Sequence, residues 1–302
     1  MPKQAGCDPK MNTQTKDRLW RIARASLAWL AIYALMVGLG AILPVPASDW
    51  YHHFLPRKVD YPPLVLVLLA LLPSVPFLSG LTLTALLAAL WKRHARPVHI
   101  LAAFTTMPLF WTLWLGQLDA VPMLGLAFLP WGIPLVLVKP HVAVWYVWAW
   151  WRQQPHKWKI VLGVAAFVAL TFVIWGWWVP RTSALANTTT VYNVSLWKVW
   201  PPLGIVAMLA ALLERDPDRA MALGALGVPY LQGVSYLVLV PALARLSGWL
   251  LLLVWLASWA ALAALAWGDA ARPLAALFPL TLWAVLAWQE YRHSHTMSLS
   301  GT

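Results

Sequence analysis

Charge is the scarcest thing in this chain. Only 11% of its 302 residues are Asp, Glu, Lys or Arg, and 61% are hydrophobic, where soluble domains carry roughly 25% charged residues. The deficit argues against a soluble globular fold and for an all-α, polytopic integral membrane protein. Acidic residues number 10 against 22 basic ones, a net charge of +12. In a soluble protein that excess would suggest nucleic acid. Here the basic residues gather in short loops, where the positive-inside bias and anionic headgroups account for them, so no nucleic-acid partner is expected. The single cysteine, Cys7, excludes an internal disulfide. No apolar stretch precedes Gln4-Ala5-Gly6-Cys7, so it does not read as a lipoprotein cleavage site. The sequence has no Gly-rich phosphate loop, no G-x-S-x-G elbow and no HExxH pair, and no cofactor is expected. No fixed-period repeat and no boundary to a soluble domain interrupt it, so residues 1–302 read as one transmembrane domain.

What the chain has is tryptophan and long apolar runs. Its 23 tryptophans suit the headgroup level, where an apolar ring with one N–H donor is at home. Trp148, Trp150, Trp151, Trp175, Trp177 and Trp178 cluster at segment ends, as an aromatic belt does. A helix needs about 20 apolar residues to cross a bilayer. Residues 22–43 supply the first such run, after a basic tail at 1–21 expected in the cytoplasm. Residues 44–63 then form a first external loop. Residues 64–91, broken by Pro73 and Pro76, return to the basic stretch Lys92-Arg93-His94-Ala95-Arg96. Residues 98–115 cross outward. Residues 118–151, interrupted at Pro130, Pro134 and Pro140, read as a broken or re-entrant hairpin. Residues 160–179 and 199–213 cross out and back, 220–246 is a second broken pair turning near Pro229, and 249–267 and 273–289 precede a cytoplasmic tail at 290–302. The expectation is about nine to eleven spanning or re-entrant segments, several of them short.

The first external loop concentrates polar chemistry: Asp49, Tyr51, His52, His53, Arg57, Lys58, Asp60 and Tyr61. Asp8, Asp17, Glu214, Asp216, Asp218 and Glu290 fall on expected cytoplasmic tails or loops. Asp49, Asp60, Asp119 and Asp269 are left for carboxylate chemistry outside or at membrane depth. Asp49, just past the first span, can take a proton from a hydroxyl if partial burial tunes it, or can serve as a helix cap. Asp60 reads as an ion-pair partner of Arg57 or Lys58. Gly116-Gln117-Leu118-Asp119 falls at an expected helix break, where Gln117 and Asp119 offer donors and acceptors, or where Asp119 simply caps. Lys139, before Pro140 and His141, lies at membrane depth and needs a partner or a function unless it snorkels to an interface. Adjacent residues point apart on a regular element, so His52-His53 is a weak ligand pattern, and a metal held by Asp49 with His52 is the disfavoured reading. Asn187-Thr188-Thr189 and Asn193-Val194-Ser195 match the glycosylation acceptor pattern.

Taken in order, Asp49 after the first span, Tyr61-Pro62-Pro63-Leu64, Gly116-Gln117-Leu118-Asp119 and Lys139-Pro140 resemble the GT-C superfamily of polytopic glycosyltransferases. The nearest branch is the polyprenyl-phosphate-mannose-dependent mannosyltransferase-like group. Pro229-Tyr230 with Ser235-Tyr236 weakly resembles that group's later helix break, and the similarity covers residues 19–245. The resemblance implies a GT-C-like fold, expected in a prokaryotic plasma membrane; the basic loops put both termini in the cytoplasm. It implies a polyprenyl-phosphate sugar donor, a lipid or glycan acceptor, a mannose-like sugar, and inverting transfer without a metal. Asp49 is then the general base. Arg57, Lys58, Lys139 and His141 are the candidates to face the leaving phosphate, with Arg181 the weakest of the five. Gln117 and Asp119 hold sugar hydroxyls, and Trp50, Tyr51 and Tyr61 offer ring faces. Two other readings stay open: a non-catalytic transmembrane subunit packed against membrane-protein partners, and a carrier for a lipid-linked substrate that uses the broken helices and Lys139 as its path.

Overall fold

Proline decides where many of these helices begin. Pro76, Pro97, Pro108, Pro134, Pro140, Pro201 and Pro217 each occupy the first turn of a helix, where the missing N–H has no helical partner to lose. The structure, a computed structural model, describes residues 13–43, 45–51, 64–177 and 193–299. Every regular element among the described residues is helical. In chain order these are α1 (Thr13–Ile42), α2 (Leu64–Leu71), α3 (Val75–Lys92), α4 (Pro97–Phe104), α5 (Met107–Leu115), α6 (Ala120–Ala127), α7 (Ile133–Val136), α8 (Pro140–Arg152) and α9 (Lys157–Trp175). After them come α10 (Leu196–Val199), α11 (Pro201–Leu213), α12 (Pro217–Gly227), a 3₁₀ helix (Gly233–Arg245), α13 (Gly248–Ser258), α14 (Ala260–Trp267), a second 3₁₀ helix (Gly268–Ala276) and α15 (Leu277–Leu299).

Among the described residues, Asp17–Ile42, Val75–Lys92 and Lys157–Trp175 are long and apolar enough to cross a membrane, and α4 with α5 adds a fourth if the bent pair counts as one span. The number falls short of the expected segments for a physical reason. The proline-broken stretches 118–151 and 220–246 fold into helices of 4 to 13 residues, and a hydrocarbon core about 30 Å thick needs about 20. Residues 98–115, expected as one crossing, bend by 48° between α4 and α5. Pro108 removes a helical donor there, and the hydroxyls of Thr105 and Thr106 turn back onto the carbonyls of Leu101, Ala102 and Ala103. Helix also reaches into both expected tails: α1 starts at Thr13 and α15 runs to Leu299.

Only 6% of the α1 and α9 windows is buried, against 61% for α3. Helix α3 therefore lies within the packing, while α1 and α9 turn Leu27, Leu30, Leu35, Leu170, Val173 and Ile174 outward. Helix α1 runs antiparallel along α3, with Trp29 edge-on to Trp91 at 5.8 Å. Helices α6 and α7 make a tight hairpin. A Cβ on Gly132 would stand 2.0 Å from the Gly125 carbonyl oxygen, so only bare backbone allows this approach. The 3₁₀ helix Gly233–Arg245 is buried along nearly its whole length, and its Tyr236 meets Phe278 of α15 edge-to-face at 6.0 Å.

At 1.5 Å per residue, α3 is about 27 Å long, and each end carries a polar cluster. At its start, Val75 and Leu78 pack with Ala47, Trp50, Leu118, Val121 and Val138, beneath the stretch that carries Asp49. Just past its end, Arg93 enters an ionic cluster with Asp216, Asp218 and Arg245.

Candidate functional site

The site is built outward from Gly116. Helix α5 stops there in a left-handed turn (φ 69°), and the amides of Gly116 and Gln117 both bond to the Thr112 carbonyl at 3.0 Å, which closes the helix end. A Cβ at this position would meet Trp50 Cβ at 3.0 Å and Ala47 Cβ at 3.1 Å. The missing side chain thus lets residues 45–51 lie against the end of α5, where the Ala47 amide donates to the Trp114 carbonyl at 2.9 Å. Trp50, 3% exposed, is driven into the apolar cluster at the start of α3. That insertion turns Asp49 toward Gln117.

Four side chains then join end to end. The Gln117 amide donates from Nε2 to Asp49 Oδ2. Its Oε1 accepts from Lys139 Nζ at 3.3 Å, and the same ammonium donates to Asp119 Oδ2 at 2.6 Å. Asp119, Gln117 and Lys139 are buried, while Asp49 is half-buried. An ammonium only donates. Lys139 therefore draws the amide oxygen to itself and leaves the NH₂ to face Asp49. The amide thus bridges the buried ion pair and a more accessible carboxylate. Asp49 Oδ1 accepts no hydrogen bond among the described residues.

This geometry corrects two simpler readings. Asp119 stands at the N-cap of α6 but makes no capping hydrogen bond, because its carboxylate faces Lys139. Lys139 is 7% exposed and ion-paired, so it does not snorkel. His141, one residue past Pro140, meets the Ser235 hydroxyl at 3.0 Å through Nε2. Tyr51 is 54% exposed, and no hydrogen bond ties its side chain to the cluster among the described residues. Trp50 faces inward and cannot serve as a ring face for a sugar; the inward position follows from the large apolar area its indole removes from water. Arg57, Lys58 and Tyr61 lie outside the described residues, as do His52, His53, Asp60, Arg181, Asn187 and the Asp269 side chain. Asn193 is corrected too. It is 1% exposed, accepts from the amides of Ser195 and Leu231, and donates to the Pro229 carbonyl. Its amide pins the turn before the 3₁₀ helix and is closed to a glycan.

By sequence Ser235 belongs only to a weak motif; no spacing rule ties it to His141, 94 residues away. The charges at the other end of α3 read by sequence as loop residues. There Arg93 grips Asp218 with two bonds at 2.7 and 2.8 Å, and Arg245 reaches Asp216 at 2.7 Å and Asp218 at 2.9 Å. Burial alone would raise the Asp218 carboxyl, but the Arg93 and Arg245 guanidiniums outweigh it and hold the group below its ordinary value.

No family model, no curated protein and no solved structure matches this chain.

Proposed function

We propose that the chain is a multi-pass GT-C-type membrane glycosyltransferase that moves a mannose-like sugar from a polyprenyl-phosphate donor to an acceptor hydroxyl, with Asp49 as general base. The observation that carries this reading is the hydrogen-bonded chain Asp49–Gln117–Lys139–Asp119, drawn from three separate stretches of sequence to one end of α3. The membrane setting draws support from the apolar faces of α1 and α9 and from the gathering of Arg93, Arg219 and Arg245 at the opposite end. Under the positive-inside bias that end is cytoplasmic and the Asp49 end is outside.

In this mechanism Asp49 accepts the acceptor's hydroxyl proton as that oxygen bonds to the anomeric carbon. The bond from that carbon to the phosphate oxygen breaks with inversion, and polyprenyl phosphate leaves with the electron pair. Cations stabilise that developing charge. Lys139 is the described cation that the hydrogen-bond chain connects to the base; Arg57 and Lys58 are the other cations of this reading, and His141 takes part as a hydrogen-bonding ring beside Ser235. Replacing Asp49→Asn removes the base and retains the shape. Transfer from a polyprenyl-phosphate mannose donor is expected to fall about 10²–10⁴-fold, with yield and thermal unfolding unchanged. Undiminished transfer by this variant overturns the assignment.

The ion pair between Lys139 and Asp119 favours one second reading. A lysine already neutralised by a buried carboxylate also suits a non-catalytic membrane subunit. Wild-type protein that transfers no sugar from any polyprenyl-phosphate donor, yet copurifies with a membrane partner, establishes that reading instead.

A further inference from the structure

A half-enclosed cavity of about 400 Å³ lies between α3, α6, α8 and the 3₁₀ helix Gly233–Arg245, at the end of α3 opposite Asp49. Its polar wall is Lys92, Arg93, Arg245 and Tyr146, and Met123, Ala127 and Val238 contribute to its apolar wall. Cations outnumber carboxylates there. Arg93 and Arg245 answer Asp216 and Asp218, while Lys92 meets only the Phe128 ring, 5.2 Å from its centroid, among the described residues. The Tyr146 ring lies 5.8 Å from the Arg93 guanidinium, and its hydroxyl makes no hydrogen bond among the described residues. The wall therefore holds one positive charge beyond what its carboxylates neutralise, a phenol able to donate, and an apolar side. The volume is in the range of small-ligand sites. Basic pockets between helices on the cytoplasmic side of a membrane protein are suited to lipid phosphates.

We propose that this cavity binds the phosphate headgroup of an anionic phospholipid, with Lys92 and Tyr146 as the groups that reach it and Arg93 and Arg245 setting the potential behind them. The site rests on the membrane reading and not on the sugar-transfer reading, since it shares no residue with the Asp49 cluster. A lipid here would brace α3 against the α6–α7 hairpin and α8.

Native mass spectrometry of delipidated protein in detergent tests it, with phosphatidylglycerol and phosphatidylcholine added separately. Phosphatidylglycerol is expected to remain bound and phosphatidylcholine to dissociate. Lys92→Gln is expected to weaken phosphatidylglycerol about fivefold, the share of one basic group near a lipid phosphate. Lys92 makes no ion pair among the described residues, so the exchange leaves the Asp218 cluster whole. Ala127→Leu fills the cavity without altering charge and is expected to displace the lipid. Equal retention of the two lipids, or phosphatidylglycerol binding unchanged in both variants, overturns the proposal. A thermal shift with inorganic phosphate that equals the shift with phosphatidylglycerol overturns the lipid assignment, because the cavity then takes a free anion. Sugar transfer, measured in parallel, is expected to be unaffected by Lys92→Gln, so failure of either reading shows separately.

Discussion

Asp119 and Asp218 are both buried carboxylates facing cations, one at each end of α3, and they are held in different ways. Asp218 sits in a guanidinium fork from Arg93 and takes a further bond from Arg245. Planar guanidiniums fix such a pair in one geometry. Asp119 faces a single ammonium, and Lys139 shares that ammonium with Gln117, whose other end holds Asp49. Lysine is a compact charge on a flexible stem with rotatable donors, so its bonds can be redistributed when a ligand arrives. One end is a clamp and the other a relay. The contrast separates a buried charge fixed in one geometry from one whose bonds can be redistributed.

The comparison breaks most sharply at the clamp. Asp218→Ala leaves two guanidiniums in a largely buried cluster without their shared carboxylate, and chemical unfolding in detergent is expected to register a loss of about 3–5 kcal/mol. A loss under ~1 kcal/mol would mean that the cluster is no clamp. At the relay, Lys139→Met leaves Asp119 buried without its counter-charge and is expected to cost about 3 kcal/mol. The double change Lys139→Met with Asp119→Leu is expected to recover most of that stability without restoring sugar transfer. A double variant that regains transfer would remove Lys139 from the site.

Gln117→Leu cuts the link without touching the ion pair. It is expected to lower stability by about 1 kcal/mol and to lower transfer by a larger factor, read as a fall in kcat at unchanged expression. The smallest effect is that of acid. Folding depresses the Asp218 carboxyl below an ordinary value of about 3.9. Its contribution is therefore fully present above about pH 4 and is lost as pH falls through the depressed native value. Acid titration of unfolding in the wild type, set against Asp218→Ala, isolates this limb; identical acid profiles would show that the clamp carries no protonation linkage.

Much of the fold was legible because its causes are local. Pro73 and Pro76 marked the break between α2 and α3, Gly116 marked the stop of α5, and Pro229 marked the turn between α12 and the 3₁₀ helix. These signals act within a few residues through lost donors and left-handed backbone. The site was half legible. Asp49, Gln117, Asp119 and Lys139 stood out as polar groups in an apolar chain, where each demands a partner. Which group satisfied which was hidden. By sequence Asp119 is either a cap or a hydrogen-bonding group, Lys139 is either partnered or snorkelling, and Trp50 is a ring face only by resemblance. Neighbours that no sequence window contains decide among these.

Composition alone determined that this chain would be helical, apolar and sparing with charge, because hydrophobicity and backbone breaks belong to each stretch by itself. Only the tertiary structure decided that Asp49 meets Gln117 across 68 residues and that Arg93 meets Asp218 across 125. Burial leaves a polar side chain no water to turn to, so its partner is whatever group the packing of the helices brings within reach.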